Sequence, residues 1–459
     1  MYFKSFFDEQ LAHMSYLVGC QRTGEAIVID PARNIEPYLE VAKKEKLRVT
    51  AVTETHIHAD YLSGARELAE RVGAKLYVSD EGDQDWKYQY VGEYNHELLK
   101  EGSTFFVGNV KFEVLHTPGH TPESISFLLT DIGGGANEPI GIFTGDFLFV
   151  GDVGRPDLLE KAAGVAGTSE SGAIQMFESL RKVEKVADFL QVWPAHGAGS
   201  ACGKSLGAVP MTTLGYEKKF NWAFQIKDEK EFVQELLKNQ PEPPKYFAEM
   251  KKQNKLGPAL VNKAETPEVS IPVEKGVTVV DTREANEYAE GHIEGTINLP
   301  YNRSFTNWAG WLLSYDKNIV LVTKKAKLKE IKRSLESIGL DQITGYVEAD
   351  TLKAGVETYE SVTVQAAKKL LEQDDYYMID VRNQSEWNVG HIPGAHHFML
   401  GTLSDHLEKL PKDKTLIVHC QSGARSAIAT SVLQANGFKD VLNMTGGFEA
   451  WEKQGLPVE

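Results

Sequence analysis

Cysteine is scarce in this chain: three in 459 residues, at Cys20, Cys202 and Cys420. An odd number of thiols so far apart excludes a disulfide framework and fits a reducing compartment. Long apolar runs are missing too, and no segment approaches the roughly 20 residues that a spanning helix needs. The start, MYFKSFFDEQ, puts Asp8 and Glu9 where an export signal requires an apolar stretch. Basic charge is also short. Lys and Arg total 49 against 65 Asp and Glu, a formal net charge of −16, which argues against nucleic acid or an anionic membrane as the main partner. The absences together point to a cytoplasmic protein. Apolar content, at 42%, is ordinary, so about three domains could each bury a core.

The first half alternates strand and helix patterns. SYLVGC and EAIVID read as paired strands about the turn QRTG, and IEPYLEVAKKEKL as an amphipathic helix. LRVTAVTETH is a strand running into THIHADYLSG, with a helix expected from about Leu62 to Arg71. KLYVSD, VKFEVLH, SISFLLT, PIGIFTGD and LQVWPAH supply further strands, and AIQMFESLRKVEKVADFL a helix. Past the polar, proline-containing KNQPEPPKYF the chain repeats itself. VVDTREANEYAEGHIEG and MIDVRNQSEWNVGHIPG share Asp281/Asp380, Arg283/Arg382, Glu287/Glu386, His292/His391 and Gly295/Gly394, each pair 99 apart (380 − 281). This is a domain duplication rather than a short solenoid period. Three domains are expected, at residues 1–262, 263–356 and 357–459.

Four patches of the first domain carry metal-type residues just beyond expected strands: THIHAD, TPGHT, FTGD and PAHG. In this order the set resembles the metallo-β-lactamase superfamily, over residues 1 to about 260. The run TGDFLFVGDVGRPDLL, with Arg155 and Asp157, and the loop PAHGAGSACGKSLGAVPMTTLGYEK are similar to the bacterial persulfide dioxygenase–rhodanese fusions. The resemblance implies an αββα sandwich followed by two rhodanese-like α/β domains. It also implies one Fe(II) per chain, held by His56, His120 and Asp146. Two imidazoles and a carboxylate on one face of an octahedral ion leave the open positions that non-haem Fe(II) oxygenases use. A two-zinc hydrolase would need a second ligand set built from His58, Asp60, a further histidine and His196. Tyr61 stands where that histidine would be, and a phenol of pKa near 10 replaces it poorly. His58, Asp60 and His196 are therefore assigned to hydrogen bonds that orient the ligands. Arg155 and Asp157 read as a structural loop pair.

The second motif lies in TLIVHCQSGARSAIATSVLQANGF. A buried strand delivers Cys420 into a loop of Gln421, Ser422, Gly423, Ala424, Arg425 and Ser426, and a helix follows. Loop N–H groups and the positive end of a helix form an anion cradle. A thiol held there is expected to ionise at neutral pH, with Arg425 receiving an anion such as sulfite. This resembles the rhodanese family, over about Ser361 to Glu459, in which the loop cysteine carries sulfane sulfur. The middle repeat follows KNIVLV with TKKAKLKEIKRSL and has no cysteine, so it cannot carry a persulfide. Cys202 lies six residues past His196 (202 − 196). It reads either as a catalytic thiol that positions sulfur near the metal or as a small packing residue. Cys20 reads as core.

What the resemblance implies is a bifunctional enzyme of sulfide detoxification. A low-molecular-weight thiol persulfide is oxidised by O₂ to sulfite, and Cys420 passes sulfane sulfur to sulfite, giving thiosulfate. Dimers or tetramers are expected of such fusions. The rivals are a glyoxalase-II-like zinc thioester hydrolase fused to a sulfurtransferase, and a non-catalytic sulfur carrier or sensor.

Overall fold

The computed structural model describes residues 1–158, 160, 168–204, 206–271, 276–352 and 357–459. Two compact units account for the chain: Met1–Asn262 with Glu336–Gly339, and Lys263–Leu335 with Leu340–Glu459. The expected boundary at Val356 lies outside the described residues. No helix among them is long and apolar enough to cross a membrane.

The first unit holds two six-stranded sheets. One runs in chain order through β1 (Tyr2–Asp8), β2 (His13–Cys20), β3 (Glu25–Ile29), β4 (Arg48–Thr53), β5 (Lys75–Ser79) and β6 (His96–Leu99). The other is built from β7 (Thr104–Val107), β8 (Val110–His116), β9 (Ile125–Asp131), β10 (Gly141–Gly145), β11 (Gln191–Pro194) and β12 (Thr212–Thr213), ordered from β12 down to β7. Val18, Ile27 and Ile29 of the first sheet meet Phe112, Phe127 and Phe143 of the second in one buried cluster. Two more clusters line the outer faces, where Leu68 and Tyr38 cover one sheet and Met176 and Leu180 the other. Strand residues alternate faces, so both faces of each sheet are apolar and helices close the layers. This is the αββα sandwich.

Two helix limits differ from the sequence pattern. The helix expected from Leu62 begins at Ala65, because Asn254 accepts the Ser63 N–H at 2.9 Å and donates to the Tyr61 carbonyl at 2.7 Å. Those backbone groups are satisfied outside a helix, and the Ser63 hydroxyl accepts the Ala65 N–H at the new start. The helix expected to reach Leu190 stops at Val183. Asp188 and Leu190 instead offer their carbonyls to Gly215 and Leu214.

The second unit contains both repeats, each an all-parallel sheet. The first is ordered β14 (Ile297–Asn298), β13 (Thr278–Asp281), β15 (Ile319–Thr323), β16 (Ile343–Glu348). The second is ordered β17 (Glu360–Val362), β21 (Val441–Met444), β20 (Thr415–His419), β18 (Tyr376–Asp380), β19 (His396–His397). Strands buried on both faces, such as IVLVT and TLIVH, are apolar throughout. The helix Ala424–Ala435 is buried continuously from Ser426 to Gln434. Part of its cover is β14 of the preceding repeat, whose Asn298 N–H reaches the Ser431 hydroxyl at 2.9 Å.

Candidate metal centre and sulfur loop

Strand β4 ends at Thr53, and the chain turns through Glu54 and Thr55 to His56. Strand β8 ends at His116, four residues before His120, and β10 at Gly145, one before Asp146. These ends bring His56, His120 and Asp146 together, with one ligand atom from each inside 4.8 Å of the others. All three are buried. His56 Nε2 stands 3.8 Å and His120 Nε2 3.5 Å from Asp146 Oδ2.

The outer nitrogens fix which atoms face inward. His120 Nδ1 lies 2.9 Å from the Arg155 carbonyl, which can only accept, so Nδ1 carries the proton and Nε2 the lone pair. The Thr55 hydroxyl donates to Asp30 Oδ2 at 3.0 Å and so accepts from His56 Nδ1, also at 3.0 Å. Burial, with His58 adding to it, holds the His56 imidazole well below its usual pKa, and burial lowers that of His120 against the opposing Asp146 charge. Both rings stay neutral, as metal ligands must be. His56 Nε2 and Asp146 Oδ2 have no hydrogen-bond partner among the described residues. Buried polar atoms left open in this way are what a divalent cation would satisfy, so the donor set fits a metal.

A second group adjoins the first: Asp60, His196 and Cys202, again within 4.8 Å. His196 is already committed on both sides, Nδ1 to Asp146 Oδ1 and Nε2 to Asp60 Oδ2, each at 2.6 Å. Burial alone would strip its proton, but Asp146 and Asp60 outweigh it and hold the imidazole charged. Burial, with the Asp146 and Asp60 charges, pushes the Cys202 thiol well above its ordinary pKa. His58 turns aside, its Nε2 3.1 Å from Asp30 Oδ1. Tyr61 packs between His13 and His58, ring centroids 3.9 and 4.6 Å away, with its hydroxyl on the Asp30 carbonyl. Arg155 and Asp157 form a buried pair of two 2.7 Å bonds beside the His120 loop. A Cβ on Gly154 would collide with the Asp146 carbonyl and reach His120 Cβ at 3.1 Å, so only glycine lets these loops close on each other.

Several of these residues carried no sequence signal. Asp30 organises Thr55 and His58 from a left-handed backbone, φ 49°, a strained conformation for a residue other than glycine. Glu123 ties the two histidine loops together through the Ile57 N–H at 2.8 Å. His13 is buried and its Nε2 has no partner among the described residues. Each lies outside the motif spacings, and only the folded chain brings it to the site.

In the second unit β20 ends at His419 and delivers Cys420, which is fully buried. Its Sγ accepts the Gly423 N–H at 3.1 Å and the Ser426 hydroxyl at 3.6 Å. Gly423 takes φ 108° before the helix Ala424–Ala435, a conformation that excludes larger residues. Gln421, Ser422 and Ala424 form the rim that reaches water. Arg425 is bound to Glu386 by two bonds, Nη1 to Oε2 at 2.6 Å and Nη2 to Oε1 at 2.7 Å. Glu386 is a further group that the loop pattern does not contain. In the preceding repeat, strand register sets Val322 beside Asp281 as His419 stands beside Asp380. Thr323 therefore occupies the cysteine position. Its helix starts at Lys325, two residues on (325 − 323), where four separate Cys420 from Ala424 (424 − 420), so the cradle is absent as well as the thiol.

Comparison with known proteins agrees with this geometry. The profile of the metallo-beta-lactamase superfamily matches residues 9–196, and that of the rhodanese-like domain matches 266–360 and 363–454. A crystal structure described as a metallo-beta-lactamase from Staphylococcus aureus subsp. aureus COL is 46% identical, covering 76% of this chain and 98% of that one, with a TM-score of 0.70. A sulfurtransferase of Allochromatium vinosum is 34% identical over 92 residues, 20% of this chain and 86% of that protein. A hydroxyacylglutathione hydrolase of Francisella tularensis subsp. novicida is 31% identical over 194 residues, 42% of this chain. The match spans 65% of that relative's own length.

Proposed function

Because the chain belongs to the metallo-beta-lactamase superfamily and carries two rhodanese-like domains, we propose that it oxidises a small thiol persulfide and transfers sulfane sulfur. The overall reaction at the first site is RSSH + O₂ + H₂O → RSH + SO₃²⁻ + 2H⁺. At Cys420, a persulfide gives up its outer sulfur to sulfite, so that Cys–S–S⁻ and SO₃²⁻ become Cys–S⁻ and S₂O₃²⁻. His56, His120 and Asp146 would hold one Fe(II), which when bound supplies open positions for sulfur and oxygen together. Thr55 and the Arg155 carbonyl keep both imidazoles in the tautomer that offers Nε2 to the centre. Fusion of the two activities raises the local concentration of the sulfite they share.

The observation that carries the one-metal reading is the double engagement of His196. Its two nitrogens are taken up by Asp60 and Asp146, and Tyr61 faces the Asp30 carbonyl, so neither His196 nitrogen is free for a second cation. Cys202 would then stand as a thiol that positions sulfur at the edge of the centre. A second reading, a two-zinc thioester hydrolase, is favoured by the Asp60–His196–Cys202 group and by the Francisella relative.

Metal analysis of anaerobically purified protein, paired with oxygen uptake on a small thiol persulfide, separates them. About one iron per chain with uptake supports the dioxygenase. A zinc pair with thioester cleavage and no uptake supports the hydrolase. Glutathione, coenzyme A and bacillithiol persulfides are the carriers to compare.

A further inference from the structure

Cys420 is fully buried, while the charged pair beside it is in reach of water: Arg425 is 19% and Glu386 29% exposed. The flat edge of a guanidinium, with two parallel N–H groups, is the surface that matches a two-oxygen anion. Here that edge is occupied by Glu386 through bonds of 2.6 and 2.7 Å. The carboxylate is held in turn, since its Oε2 also accepts the Asn383 N–H at 3.0 Å. Burial would raise its pKa, but Arg425 outweighs burial and keeps it ionised. The duplicated repeat supplies an internal comparison. Glu287 occupies the matching place on its own short helix, stands exposed, and has no arginine beside it among the described residues. The first repeat's helix forms without such a pair, while Glu386 is held by both Arg425 and the capping contact with Asn383.

We propose that Glu386 is an internal substitute for the anionic substrate: it holds Arg425 while the loop is empty and yields the guanidinium edge to a small oxyanion of the sulfite class. Glu386 is then a positioning residue that sets how strongly the Cys420 loop prefers anions. This rests on reading Cys420 as a sulfur carrier. The exchange keeps Arg425 paired in the empty state. It also weakens anion binding by the energy of the displaced pair, so removing the carboxylate strengthens that binding.

Alkylation of Cys420 in the full-length protein tests this without requiring sulfur transfer. Anionic iodoacetate and neutral iodoacetamide are compared, with the modified Cys420 peptide quantified by mass spectrometry. In Glu386→Gln the ratio of iodoacetate to iodoacetamide rates is expected to rise about threefold or more, and added inorganic sulfate to reverse the gain. Glu386→Asp keeps the charge but cannot span both nitrogens, so it gives a smaller rise and carries the test if the first variant does not fold. The double variant Glu386→Gln/Arg425→Gln loses the gain. An unchanged or lower ratio in the single variants, or a gain that persists in the double one, overturns the proposal. In the sulfite assay KM falls by a similar factor with kcat held. If thiosulfate never forms while the alkylation ratios shift as expected, the sulfur-carrier reading fails and the anion exchange stands.

Discussion

At the scale of single residues, the three ligand atoms are separable from the groups that aim them. If the proposed dioxygenase reading holds, replacing His56, His120 or Asp146 by alanine removes iron and oxygen uptake together, measured by metal analysis and an oxygen electrode, with sulfur transfer retained. Cys202→Ser is expected to keep the metal and lower uptake at least about tenfold; unchanged uptake would reduce Cys202 to packing. His419 supports a prediction in pH. Burial pushes its imidazole down to about 4, against about 6.5 for a free histidine. Between those values the unfolded chain binds a proton that the folded one refuses, so stability falls as pH drops from about 6.5 towards 4. The span of about 2.5 units corresponds to about 3 kcal/mol. Urea denaturation of His419→Gln should show a flatter pH slope across that window than the parent protein. Much of this residue-level detail was legible beforehand. His56, His120, Asp146 and Cys420 announced themselves through motifs and Glu386 through the duplicated segment, whereas Asp30 and His13 did not. The motifs report residues that chemistry fixes relative to nearby chain, while Asp30 meets Thr55 and His58 from 25 and 28 positions away.

At the scale of elements, loop closure decides both sites. Gly154 and Gly423 are where a side chain cannot be accommodated, for different reasons: one lacks space, the other needs a positive φ. Gly154→Ala should drive the Asp146 and His120 loops apart and lower iron stoichiometry, checked by metal analysis. Gly423→Ala adds about 1–2 kcal/mol of backbone strain and re-aims the N–H that meets the sulfur. Sulfur transfer is expected to fall at least about tenfold while iron content stays put. Most strands were readable because they are apolar runs ended by motif loops. The strand Tyr2–Asp8 was not foreseen, since its half-buried positions show no clean alternation. The early start expected at Leu62 failed because Asn254, from a helix nearly two hundred residues later, takes the backbone groups that the helix would have used.

At the scale of the molecule, the two proposed chemistries are expected to answer to different treatments. Anaerobic chelation should abolish oxygen uptake and leave sulfur transfer at Cys420 intact, whereas alkylation of Cys420 should do the reverse; both are read in one assay of sulfite and thiosulfate. The duplication was plain in the sequence, because Asp, Arg, Glu, His and Gly recur at a constant offset. What the duplicate does for its neighbour was not, because burial of one helix by the other copy leaves no spacing to read. The helix Ala424–Ala435 carries Ile428, Val432 and Leu433 inward, and part of its cover is borrowed from the repeat that has no thiol. The copy without a thiol is therefore not dispensable: taking it away would strip the helix behind Cys420 of part of its shelter.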